Sequence, residues 1–493
     1  MLDKLPAPEI LKKLLSKGGD FAEIYLEQTR NTKITCEDKK IESVVSGVDC
    51  GVGLRLIADL KTAYGFTNEL TPSSLLTLAS QISGFMVSKV EPSTAGKNFT
   101  RDINPSTLRP KGRNMLRVDG EQSRTINLKT QNPKQVFPIQ INPADVSTDD
   151  KVVMIRKAES LAWSLDSRIV QVRVRYSDVI RHVEIANSEN ELVISPKTLT
   201  VLSVSVTASD GKSYHTGYHS TGGHAGYEIF TEQEIETVVR KASARAMINL
   251  TAMRATGGTM PVIISSEAGG TLVHEAVGHG LEADLACEGM SVYEGKLGQT
   301  IASNKVTVWD DPTIPGKRGS YSFDDEGTPA QKAVLIENGV LKTYLYDRLT
   351  AMKMNTKSNG HGRRESYEHR PIVRMTNTMI APGIDDPQAI IRSVDKGLFV
   401  KMMGGGQVNT VNGDFMFEVS EGYRLEHGKI GEPLRGATLT GSGPDVLKII
   451  DMVGNDLGFS IGTCGKDGQE APVADAIPTI RIPELVVGGV VEN

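Results

Sequence analysis

The chain has 493 residues, 39% of them hydrophobic and 23% charged, with a net charge of −5; this is the composition of a globular protein with room for two or three domains, each with its own core. It offers no electrostatic case for nucleic-acid binding, and no apolar run approaches the 18 or so residues of a membrane span. Four scattered cysteines (Cys36, Cys50, Cys287 and Cys464) are too few for a disulfide framework, and the opening Met1-Leu2-Asp3-Lys4-Leu5-Pro6 lacks the apolar core of a secretory signal, so a reducing cytoplasm is expected.

Residues 1–95 read as a mixed α/β domain. Residues 22–28 alternate like a half-buried strand, residues 33–45 continue with β-favouring side chains, and 51–57 with 62–67 form a hairpin turning near Asp59-Leu60-Lys61. Gly51-Val52-Gly53 lacks the third glycine and the following helix of a dinucleotide fingerprint. Residues 73–80 read as a capped helix. Residues 96–145 are a polar basic insertion or linker: between Lys97 and Gln135, nine Lys or Arg stand against three acidic residues, a pattern read as a solvated loop ahead of a surface for an anionic partner or lipid.

Residues 146–228 form a middle α+β domain. Ser147-Thr148-Asp149-Asp150 caps a helix with Val152, Ile155, Ala158, Leu161 and Ala162 at helical spacing, and strands follow at 169–176, 179–187 and 198–208. In the first of these, Val170, Val172 and Val174 share one face. Residues 217–226 read as a Gly/His/Ser-rich loop whose His219 and His224 are solvated rather than metal ligands.

Residues 229–493 make the largest unit. Thr231-x-x-Glu234 caps a helix striped by Ile235, Val238, Val239 and Ala242, a short strand covers 261–265, and Glu267-Ala268-Gly269-Gly270 leads into a histidine-bearing helix. Short strands are expected at 305–309, 333–336, 372–376, 398–402 and 415–419. The whole is α+β, mixed helices with largely antiparallel sheet.

The sharpest chemical signal is His274-Glu275-Ala276-Val277-Gly278-His279. Two imidazoles and a carboxylate are the inventory of a zinc hydrolase, two neutral nitrogen ligands and a general base. The familiar zinc-protease motif is His-Glu-x-x-His, one residue shorter. On a regular helix an offset of four leaves side chains about 40° apart, whereas five leaves them about 140° apart. Convergence on one metal therefore demands a π-bulge or an early helix end, and Gly278 and Gly280 sit where such a distortion would fall.

A catalytic zinc site needs a third protein ligand. Cys464, in Gly462-Thr463-Cys464-Gly465, is the first choice because the flanking glycines let the backbone turn and aim a thiolate inward; Cys287 competes and Glu282 is a weaker candidate. The acidic run Asp324-Asp325-Glu326 suggests a hard-cation site less than it suggests a turn of solvated or backbone-bonded carboxylates. Gly404-Gly405-Gly406 offers bare backbone to an extended peptide, or is a plain loop.

Taken together, His274 to Gly280, Asp324-Asp325-Glu326-Gly327-Thr328-Pro329, Arg374-Met375-Thr376-Asn377-Thr378 and Cys464-Gly465-Lys466-Asp467-Gly468-Gln469 resemble the TldD/PmbA family of metallopeptidases, on its TldD branch. Gly51 to Arg55 and Glu184 to Ser188 match it more loosely, and the basic stretch at 97–135 is longer than the family pattern. The resemblance implies Zn²⁺ on His274, His279 and Cys464, with Glu275 as base. PmbA-type proteins share the fold and lack the histidine motif. The family is associated with peptide processing, antitoxin turnover and gyrase modulation.

The expectation is thus a cytoplasmic zinc peptidase acting on short or unfolded peptides held as an added strand, pairing with itself or with a PmbA-like subunit. Its rivals are a non-catalytic regulatory subunit and a zinc amidohydrolase of small molecules.

Overall fold

The computed structural model describes residues 2–85, 126–133 and 137–490. Most of the basic stretch (97–125 and 134–135) lies outside the described residues.

Strands β1 (Phe21–Glu37), β2 (Lys40–Ala58), β3 (Lys61–Thr67), β4 (Lys129–Gln131), β5 (Ile169–Asn187), β6 (Glu191–Ser209) and β7 (Tyr214–His224) form one sheet in the order β3-β2-β1-β5-β6, with β4 and β7 both pairing with β6. Except for parallel β4, the pairings are antiparallel. The expected hairpin turn is present, with Asp59 and Leu60 both at positive φ (50° and 60°), the geometry that matches strand twist. Strands from both sides of the basic stretch share this sheet.

The helices α1 (Ala7–Leu14), α2 (Pro72–Phe85), α3 (Thr148–Leu165) and α4 (Glu232–Thr251) follow from caps and stripes. Ser147 and Thr231 accept hydrogen bonds from the N–H groups of Asp150 (3.1 Å) and Glu234 (3.2 Å). Two apolar clusters result: α3 and α4 bury Ile155, Ala158, Val238 and Ala242 against Ile34, Val172 and Val204, while α1 and α2 bury Ile10, Leu11, Leu75 and Ala79 against Ile24, Leu26 and Leu54.

Two local expectations are corrected here. The break between 176 and 179 is absent because Asp178, mid-strand, is buried against Lys151 Nζ at 2.7 Å and so does not interrupt β5. The Gly/His/Ser-rich segment is strand, not loop: β7 lies so close to α4 that a Cβ on Gly217 would fall 2.1 Å from the carbonyl oxygen of Ala242. The small residues serve that approach.

Beyond α4, an eight-stranded sheet runs in the order 396–408, 258–264, 480–488, 438–442, 414–426, 429–435, 253–254, with 452–453 added to 480–488. Pairing of 396–408 with 414–426 closes five of these strands into a ring. A six-stranded sheet is ordered 340–341, 333–337, 308–310, 378–380, 469–477, 458–466, leaving 458–466 on its edge. Gly404 to Gly406 thus lie in a strand, one that slips register there and brings Gly406 onto the ring of Phe417.

The acidic run is buried, with Asp324, Asp325 and Glu326 at most 2% exposed, contrary to a solvated turn. Asp324 accepts from the N–H groups of Glu326 (3.0 Å), Thr328 (2.8 Å) and Gly362 (3.0 Å), as a turn carboxylate does. Its neighbours reach across to the long sheet: Asp325 pairs with Lys197 at 2.7 Å and Glu326 pairs with Arg55. Buried Arg364 pairs with Glu23 beside them. Buried charges survive only when paired, and here the pairs fasten the sheet to the part of the chain that carries the histidines.

Candidate metal centre

The histidine segment begins as one α-helical turn at Thr271–Val273, becomes a π-helical turn at His274–Gly278 and tightens to a 3₁₀ turn at His279–Leu281. The N–H of His279 donates to the carbonyl of His274. That i→i+5 bond stacks the two residues that a regular helix would splay apart. The distortion has visible supports. The Tyr293 hydroxyl donates to the carbonyl of Ala276 at 3.1 Å. A Cβ on Gly278 would stand 1.9 Å from Met375 Sδ, and one on Gly280 would stand 2.7 Å from the ring of Tyr293. At the other end a Cβ on Gly270 would meet the backbone N of Ala476 at 2.3 Å, so the turn docks directly on strand 469–477.

That strand pairs with 458–466, setting Cys464 opposite Ala471. The buried guanidinium of Arg374 donates to the carbonyls of Gln469 (3.0 Å) and Cys464, fixing the hairpin. The result is a convergence of three donors: ligand atoms of His274, His279 and Cys464 all lie within 4.8 Å of one another. Cys464 Sγ is 3.4 Å from His279 Nε2, and the imidazole rings are 5.0 Å apart and nearly perpendicular.

Each imidazole is held from behind. His274 Nδ1 donates to Asp475 Oδ1 at 3.0 Å and His279 Nδ1 to Glu282 Oε2 at 2.9 Å. A carboxylate at Nδ1 assigns the proton there and leaves Nε2 as the free donor, the usual arrangement behind a metal-ligating histidine. Lys466 then ties the two ligand-bearing segments together, with Nζ 3.0 Å from Glu282 Oε2, 2.7 Å from both oxygens of Asp284 and 3.1 Å from the carbonyl of Val373.

The charges follow this geometry. Burial alone would raise the Cys464 thiol, but its hydrogen bonds to His274 and His279 bring it down to about 5, a thiolate at neutral pH. Burial is the largest influence on His279 and lowers it, yet the charge of Glu282 and the hydrogen bonds to Cys464 and Glu282 together outweigh it and lift the group to about 9. Glu275 is raised by burial, with the two histidines opposing. It accepts no hydrogen bond from the described residues and opens, with His274, His279 and Cys464, onto a cleft of about 520 Å³.

A borderline-soft set of two imidazole nitrogens and a thiolate suits Zn²⁺, and four-coordination would leave one position open. The residues fit the metal.

Family models described as PmbA/TldA metallopeptidase domain 1, central domain and C-terminal domain match residues 22–83, 141–250 and 257–489. A protein named metalloprotease TldD homolog from Buchnera aphidicola is 33% identical, covering 98% of this chain and 95% of its own. The chain belongs to the TldD/PmbA family. A TldD homolog of Haemophilus influenzae is 34% identical (95% and 93% covered), and one from Saccharolobus solfataricus, named zinc metalloprotease, is 28% identical (98% and 99%). Among solved structures, a Thermotoga maritima protein named for modulation of a DNA gyrase has TM-score 0.75 at 22% identity, covering 97% of this chain and 99% of its own. TldE from Thermococcus kodakarensis has 0.73 at 18%, covering 98% and 99%. These two show the shared fold.

Within this family fold, the structure brings together His274, Glu275, His279 and Cys464 and sets the competitors apart. Cys287 is half-buried outside the cluster, its thiol pushed up to about 11 by burial. Glu282 faces the back of His279 instead of joining the three donors. Asp475 and Lys466 were missed as functional residues. A lone carboxylate in Val473-Ala474-Asp475-Ala476-Ile477 was the available signal, since an apolar strand buries an acid only for a partner. Among the described residues no helix is long and apolar enough to cross a membrane.

Proposed function

We propose that this chain is a zinc-dependent peptidase whose metal sits on His274, His279 and Cys464. The observation that carries the proposal is the π turn that gathers two histidines five residues apart, with Glu275 on the same cleft wall. Zinc, when bound, supplies Lewis acidity and lowers the pKa of water toward roughly 7. Glu275, raised by burial and unengaged by the described residues, takes the proton of the attacking water and passes it to the leaving amine. Asp475 and Glu282 hold each imidazole by Nδ1, which orients Nε2 toward the position the metal would take. Short or unfolded peptides suit the cleft, because strand 458–466 ends its sheet and can receive an extended backbone. The names of the relatives support a metalloprotease. Four free cysteines suit the cytoplasm, and the shared fold with TldE favours a PmbA-like partner or a second copy of the chain.

Glu275→Gln is the test. The amide keeps the shape and the ligands but accepts no proton, so zinc content holds while hydrolysis of an unfolded protein falls by about 10²–10⁴-fold. Near-normal peptidase activity would sink the assignment of the base. Well-folded protein purified without chelator and free of transition metal would point to the non-catalytic subunit. Turnover of small amides in preference to peptides would point to the amidohydrolase.

A further inference from the structure

A second cavity, about 550 Å³, lies where β7, the end of α4 and the ends of strands 253–254, 429–435 and 480–488 meet. It shares no lining residue with the metal cleft. Its wall holds an electrostatic oddity. Strands 253–254 and 429–435 run parallel with Arg254 directly opposite Arg435, so two arginines occupy the same register position on neighbouring strands. Like charges so placed repel and destabilise a sheet. Among the described residues neither has a carboxylate partner. Arg254 forms no hydrogen bond or ion pair with any described residue, and Arg435 spends Nε on the carbonyl of Ala252 (2.9 Å) and Nη1 on Nε2 of His215 (2.8 Å), leaving Nη2 free among the described residues.

Among the described residues the cavity lining contains no Asp or Glu. Asp210, the carboxylate whose charge reaches His215, is occupied by the N–H groups of Lys212 (2.9 Å) and Ser213 (2.8 Å) in its own turn. Asn249 and Thr438 add polar groups, while Ala255, Val419 and Val490 add an apolar patch. A cationic wall of paired guanidiniums beside apolar surface, in a volume within the range of small-molecule sites, matches an organic anion. We infer that this cavity binds a small organic phosphate or carboxylate across Arg254 and Arg435. The anion supplies the negative charge that the described lining lacks and relieves the repulsion between the two strands.

Titration calorimetry with phenyl phosphate and with benzoate, on the zinc-loaded full chain and again after chelation, tests the site. Phenyl phosphate is expected to bind once per chain, in both metal states, and more weakly as salt rises. Benzoate binding equally well would make the site one for carboxylates too. Arg254→Gln, at an exposed position, should weaken binding by about tenfold with zinc content unchanged. Asn249→Asp, which adds a carboxylate to the lining at constant shape, should weaken it as well. Absence of binding by both probes at millimolar concentration, binding indifferent to Arg254→Gln, or binding lost with the zinc would each overturn the inference. The last result would move the anion to the histidine cleft and leave the proposed peptidase standing.

Discussion

His219 and His224 are five residues apart, as are His274 and His279, yet only the second pair meets. On β7 the first pair lies opposite Val204 and Leu199, and an odd offset on a strand sends one side chain to each face of the sheet. His219 is half-buried on the α4 side, while His224 stacks on Phe137 and binds the carbonyl of Ser320 at 2.9 Å. On the π turn the same offset puts both imidazoles on one side. The electrostatics diverge equally. Burial pushes both β7 histidines down to about 4, whereas the carboxylates behind the other pair raise them despite burial. Local backbone geometry and a carboxylate at Nδ1, not the spacing of histidines, distinguish the candidate metal centre from the packed pair.

The strongest way to break this comparison is to remove the thiolate that completes the converging pair. Cys464→Ala should abolish zinc retention and lower activity by about a thousandfold or more, since two imidazoles alone make an incomplete site. Cys287→Ala should leave both nearly intact, because its thiol lies outside the cluster. Metal lost only on changing Cys287 would overturn the ligand set. Next in size are the groups behind the histidines. Asp475→Asn and Lys466→Met should each weaken zinc binding by about 10–100-fold in competition with a chromophoric chelator. Unchanged affinity in both would show that the carboxylate contacts are packing, as in β7.

Much of this was legible in the chain and the failures are instructive. The caps at Ser147 and Thr231, the β-favouring runs that form β1 and β5 and the need for a distorted turn at Gly278 are local, fixed by residues within a turn of each other. The expected half-buried alternation fails at 22–27, buried on both faces, and at Val170, exposed beside a register shift. The joining of Asp475 to His274 spans 201 positions and that of Lys466 to Glu282 spans 184, distances over which periodicity carries no information. β7 was misread because its glycines serve an approach to a helix that only the folded chain reveals. Of the two readings of the acidic run, the backbone-bonded one holds at Asp324 and the solvated one fails, because the cations that pair its neighbours, Lys197 and Arg55, arrive from another part of the chain.

Gly278 sharpens the comparison from the backbone side. Its missing side chain lets the π turn pass Met375, so Gly278→Ala must displace the Met375 thioether or relax the turn. Overpacking of this kind costs about 1–3 kcal/mol, read as a lower unfolding midpoint in urea together with weaker zinc binding. Met375→Ala in the same chain should restore part of both. Failure of that rescue would mean that the turn itself, and not the contact, excludes the Cβ.

The smallest effect at the metal comes from the histidine that packs. His224 has its pKa brought from an ordinary 6.5 to about 4, mainly by burial, with the Ser320 carbonyl opposing. Between those two pH values the unfolded chain binds a proton on this side chain and the folded chain does not, so stability falls as pH drops through that window. Each such group adds a slope of about 1.4 kcal/mol per pH unit there. His224→Asn removes the titrating group and retains an amide donor that can face Ser320. Urea unfolding of the variant should therefore give a shallower loss of stability between pH 6.5 and about 4, with zinc content and peptidase activity at neutral pH unchanged. Loss of zinc in this variant would mean that the two histidine regions are coupled, and the contrast between them would fail.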